Sequence, residues 1–96
     1  MFIVNLKYVA QLDIVDKHIE AHRKWLDTMY VQNKFLCSGP QNPRIGGIIV
    51  AITTDVNELK EILRHDPYNI NHIAEYEITE FHALKQHPIL KELSIK

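Results

Sequence analysis

The residues best suited to chemistry in this sequence are a histidine and an aspartate far apart in the chain, His22 and Asp66. On a helical wheel at about 100° per residue, Val15, Ile19, Leu26 and Met29 form an apolar stripe, with His22 near its middle and His18 and Trp25 on one flank. His22 therefore points toward a core. A buried imidazole without a partner for its N–H costs of order 1–3 kcal/mol. A backbone carbonyl is one such partner and a carboxylate is another. Asp66 extends by one step the apolar stripe Val56, Leu59, Leu63 of a second helix. It also falls at the C-terminal end of that helix, where the macrodipole disfavours negative charge. A carboxylate so placed needs an offsetting cation or a set of donors. A protonated His22 would serve, and so would backbone N–H groups in the turn begun by Pro67. An imidazole held by a carboxylate has a fixed tautomer and a raised basicity, and it moves protons near neutral pH.

The other candidates are single residues. Ser38, ahead of Gly39-Pro40, would donate a hydrogen bond to a substrate oxygen, although a serine there also suits an ordinary turn. Arg44, directly after Pro43 in a loop, suits an anionic ligand, although a solvated loop arginine also fits. His18 and His22 have the i, i+4 spacing of helical metal ligands, but there is no HExxH and no third ligand close in sequence, so no metal is expected. Gly46-Gly47 is followed by neither GxGxxG nor GKS, so it is not a phosphate loop. Cys37 alternates with Ser38 on a strand and is expected to be a buried, inert thiol. His65, His72, His82 and His87 share no spacing and read as surface residues.

These side chains must be positioned by alternating strands and amphipathic helices. Phe2 to Val9 alternates as a strand does. Asp13 is placed to cap a helix from about Ile14 to Tyr30, and Asn33 suits its left-handed end. Lys34 to Ser38 and Ile48 to Thr53 read as strands separated by a proline-rich loop. Asp55, with Glu58 three residues on, starts a helix that stops before Pro67. Tyr68 to His72 reads as a turn or short helix, and Ala74 to His82 as the last strand. The order β-α-β-β-α-β predicts an α+β, ferredoxin-like fold, with a four-stranded antiparallel sheet and two helices on one face. Residues 1–82 form the domain and residues 83–96 a tail, in which Pro88 to Leu93 has the makings of a short amphipathic helix.

Ninety-six residues suit one domain. A net charge of −1, with scattered Lys and Arg, argues against nucleic acid as a partner. No apolar run approaches the roughly 18 residues that would span a bilayer. One cysteine excludes an internal disulfide. A lone thiol and an N-terminus without a basic leader point to the cytoplasm. The first and third strands carry apolar residues on both sides, so the sheet face away from the helices needs a cover, which a second copy of the chain would supply as a homodimer.

Taken in order, FIVNLKY, HIEAHRKWL, KFLCSGP, PRIGGIIVA, HDPY and AEYEITEF make the chain resemble the YciI-like (YCII-related) family over roughly Met1 to His82. The resemblance implies a dimeric α+β barrel and a cleft whose histidine and aspartate are the active pair. Those positions fall on His22 and Asp66, with Ser38 near the cleft. The family includes a dehydrochlorinase acting on a chlorinated hydroxyquinol, and its fold is similar to that of muconolactone isomerase. The implied function is lyase- or isomerase-type, with proton transfer or elimination on a small cyclic compound and no cofactor. In that reading His22 is the acid–base, Asp66 its orienting carboxylate, and Trp25 and Tyr68 are aromatic walls. The alternative is a non-catalytic small-ligand-binding or accessory dimer module using the same pocket. The tail departs from the family, whose members often stop near its start.

Overall fold

In the first strand, β1 (Phe2–Tyr8), Phe2, Val4 and Leu6 are buried while Asn5 and Lys7 are exposed, which is the period of a strand with one face on a core. The computed structural model describes residues 1–53 and 55–93. The helical segments α1 (Leu12–Lys17) and α2 (Ile19–Val31) follow. Next come β2 (Phe35–Pro40) and β3 (Gly46–Ala51), then α3 (Val56–Arg64), α4 (Pro67–Ile70) and β4 (Ala74–Glu80). The sheet order is β2-β3-β1-β4 and every pairing is antiparallel. The fold is α+β and ferredoxin-like.

One core joins Phe2, Val4, Leu6, Ile49 and Ala51 of the sheet to Val15, Trp25, Met29, Leu59 and Leu63 of the helices. Alternation turns Ile3, Ile48 and Val50 to the opposite face, where all three are half-buried. Cys37 lies opposite Val50 and is exposed, so the expected burial of its thiol does not hold. The stretch Pro88–Leu93 is a 3-10 helix, with Ile89 largely exposed.

Three local features differ from the sequence expectation. The single helix expected over Ile14 to Tyr30 is broken at His18, whose φ of −111° and ψ of 4° leave helical geometry. Neither proline nor glycine marks the break, so the apolar stripe runs through it unannounced. The cap position of α1 is Gln11, and Asp13 instead lies in the first turn, where its charge suits the helix dipole. In β2 the register with β3 shifts between Phe35 and Cys37. This bulge inserts one residue, so Phe35 and Ser38, opposite Ala51 and Ile49, both face the helices. Without it Ser38 would point to the other side of the sheet.

The expected caps elsewhere are present. The Asp55 carboxylate accepts from the Asn57 N–H, and Asn33 has a φ of 58°. Glycine is required at position 46, because a Cβ there would lie 1.8 Å from the Leu6 carbonyl oxygen. That close approach holds β3 against β1 beside the loop that carries Arg44.

Candidate active site

His22 and Asp66 meet. His22 Nδ1 lies 2.7 Å from Asp66 Oδ1. Asp66 is fully buried, yet both its oxygens are occupied. Oδ1 also accepts from the Tyr68 backbone N–H at 3.0 Å, and Oδ2 accepts from the Tyr76 hydroxyl at 2.5 Å. Three donors thus meet a buried carboxyl group that would otherwise be costly to bury. The backbone donor exists because Asp66 caps α4, with Pro67 at the first helical position. This corrects the sequence expectation. Asp66 is not a misplaced charge at the end of α3 but the N-cap of the next helix, where the dipole favours it. The two partners weighed for it, His22 and the turn N–H, are both present.

The network assigns the tautomer. Nδ1–H donates to Asp66, and Nε2 is left as the basic nitrogen. Among the described residues Nε2 has no hydrogen-bond partner. The imidazole stacks face to face on Tyr68, with centroids 4.0 Å apart and planes 6° apart. Burial pushes the Tyr68 phenol up to about 12, and burial together with the Asp66 charge holds the Tyr76 phenol well above its ordinary value. Tyr76 therefore stays protonated and remains a donor to Asp66.

His22 lines a cleft of about 470 Å³ between the helices and the sheet. That volume suits a small organic ligand. Leu6, Ile19, Leu26 and Ile49 supply its apolar walls, and Ser38, Arg44 and Tyr68 also face it. The Ser38 hydroxyl is 2.6 Å from the Tyr30 hydroxyl, and either can donate to the other. Arg44 donates to Asp16 Oδ1 at 2.6 Å, and its guanidinium sits 5.9 Å from the centre of the Tyr8 ring. Tyr8 in turn meets Tyr68 edge-on, with centroids 6.0 Å apart. A file of π-systems thus links Arg44 to His22.

Four of the six expected site residues, His22, Ser38, Arg44 and Tyr68, line the cleft, and Asp66 is buried behind His22. Trp25 does not line it. It is 8% exposed, packs edge-on against Phe35 and sits 5.7 Å from the His22 ring, outside the cleft lining. A large apolar ring on the stripe side of the helix is more stable in the core than in a wet cleft. Sequence reasoning missed Tyr76, Asp16 and Arg23. Tyr76 had a signal, since Ala74, Tyr76 and Ile78 share the inner side of β4 and an inward phenol needs a hydrogen-bond partner. Among the described residues no three His, Cys, Asp or Glu side chains gather as a metal cluster, and no helix is long and apolar enough to cross a membrane.

Fold and site together define a small α+β domain carrying a carboxylate-held histidine in an open cleft. The chain belongs to the YCII-related domain family, whose model matches residues 1–82. Its fold is also that of 5-chloro-2-hydroxyhydroquinone dehydrochlorinase from Burkholderia phenoliruptrix, solved in complex with 2,5-dihydroxybenzoquinone. The two share 14% identity at a TM-score of 0.72, over 84% of this chain and 92% of that one. No curated protein matches the sequence significantly.

Proposed function

We propose that this chain is a cofactor-free enzyme of lyase or isomerase type, which transfers a proton on, or eliminates a leaving group from, a small cyclic compound. The observation that carries this reading is His22, anchored through Nδ1 to a buried carboxylate while Nε2 is left to the cleft. Nε2 accepts a proton from an acidic C–H or O–H of the substrate, and Asp66 stabilises the imidazolium that results. The electron pair released at the substrate then expels a leaving group, or the proton returns at another carbon. Ser38, hydrogen-bonded to Tyr30, donates to a substrate oxygen. Arg44 offers an anion contact, and Tyr68, which is buried with its face stacked on His22 rather than serving as the expected open wall, supports the imidazole together with Trp25. The dehydrochlorinase of the same fold performs an elimination on a small ring, which agrees with this chemistry.

The working unit in this reading is a homodimer in the cytoplasm. The half-buried Ile3, Ile48 and Val50 on the face opposite the helices support a second copy as its cover.

The test is a panel of chlorinated hydroxyquinols and enol lactones incubated in D2O, with chloride release and deuterium uptake followed by NMR. Wild type should turn over at least one class, and His22→Ala and Asp66→Asn should abolish that turnover while the fold survives. Full activity in both variants would overturn the assignment. A compound that binds tightly and is recovered unchanged, with no deuterium, would favour the ligand-binding module instead.

A further inference from the structure

The cleft has an uneven charge. Apart from the His22–Asp66 pair, its charged lining consists of two cations, Arg23 and Arg44, and one anion, Asp16. Asp16 is already committed to Arg44, at 2.6 Å. Among the described residues the lining therefore carries one net positive charge, beside apolar walls of Leu6, Leu26 and Ile49, while the Asp66 carboxylate lies buried behind neutral His22.

The Asp16–Arg44 pair is built to be exchanged. Its side chains are 53% and 34% exposed, and such solvent-reached pairs contribute little net stability. Arg44 keeps a second support that does not depend on Asp16, the face of Tyr8. Its backbone is held as well, because the next residue, Ile45, accepts from the Tyr8 N–H at 3.0 Å. A planar guanidinium binds one carboxylate as readily as another, and bidentate contact with a ligand oxyanion replaces what Asp16 gives up. Arg44 and His22 line the same cleft and are joined by the Tyr8 and Tyr68 rings. An anionic group held at Arg44 would leave the body of a small ring against the apolar walls, on the side of the cleft that His22 lines.

We propose that this site takes a small ring compound bearing one anionic oxygen group, and that Arg44 captures that group by exchanging it for Asp16, with Arg23 as the second cation. Asp16 is then a built-in competitor that sets how strong an anion must be to enter. This rests on the reading of the cleft as the substrate site and adds the class of substrate.

Equilibrium binding of two probes tests it, the anion 2,5-dihydroxybenzoate and its neutral isostere 2,5-dihydroxybenzamide. The anion should bind wild type more tightly than the amide by roughly tenfold. Asp16→Asn should tighten the anion severalfold and leave the amide unchanged. Arg44→Gln should weaken the anion roughly tenfold, and Arg44→Lys should restore part of the loss. If Asp16→Asn does not fold, a shift of the Arg44 Nε–H resonance on adding the anion but not the amide decides the same point. Equal binding of both probes, no binding of either, or an unchanged or weakened anion in folded Asp16→Asn would each overturn the proposal. The readout is binding alone, so a dyad that moves no proton leaves it unaffected. Conversely, a cleft without charge selectivity leaves the deuterium test of His22 unaffected.

Discussion

The two ends of the cleft are held in opposite ways. At one end Asp66 is fully buried and accepts from three donors, which come from α2, α4 and β4. At the other end Asp16 and Arg44 share one hydrogen bond between a helix and a loop, both partly in water. The first arrangement fixes a geometry, because no single element can move without stranding a buried polar group. The second allows exchange, because water or a ligand replaces either partner at small cost. A rigidly held histidine beside an exchangeable ion pair is what the proposed reading asks of one site, constant chemistry with room to admit a ligand.

Variants at the two ends should separate them clearly. The largest effect is expected from Asp66→Ala, which strands the His22 N–H, the Tyr68 N–H and the Tyr76 hydroxyl together. It should lower unfolding free energy by about 3–5 kcal/mol in urea titrations. A loss under about 1 kcal/mol would mean that the dyad end is no more rigid than the other.

Tyr76→Phe removes one donor of the three and should cost about 1–2 kcal/mol. The same region sets an alkaline limit. The Tyr68 phenol ordinarily ionises near 10.0 and in the folded chain at about 12. The unfolded chain therefore loses its proton first, and the folded state binds more protons through that window. Stability should be intact below a pH of 10.0 and decline as pH rises toward about 12. Tyr76 is raised for the same reason, so Tyr76→Phe should make the decline shallower. Stability measured across that range that stays flat would contradict the burial of both phenols. The smallest effect is expected from Arg44→Gln, whose unfolding curve should overlie that of wild type. A clear shift of that curve would make the Asp16–Arg44 pair structural rather than exchangeable.

The sequence displayed the frame and half of the site. Alternation in β1 and β4, the cap at Asp55 and the stop before Pro67 are local rules, and they survive in the fold. His22 was legible because a polar residue in an apolar stripe stands out. Asp66 was legible as an inward residue, but its role as a cap was hidden by the choice of which helix to attach it to. The break at His18 carries no breaker residue. The bulge that turns Ser38 inward depends on how β2 pairs with β3, which is a non-local choice. Trp25 was misplaced because wheel geometry puts it on a flank, while packing against Phe35 decides its place.

The central claim is that His22 is held through Nδ1 so that Nε2 is the working base. Long-range proton–nitrogen correlation of the neutral His22 ring tests this directly. The account predicts a protonated Nδ1, with its proton shifted far downfield by Asp66, and an unprotonated Nε2; replacing Asp66 by Asn should abolish the downfield signal. A neutral ring protonated at Nε2 in the wild-type protein would contradict it.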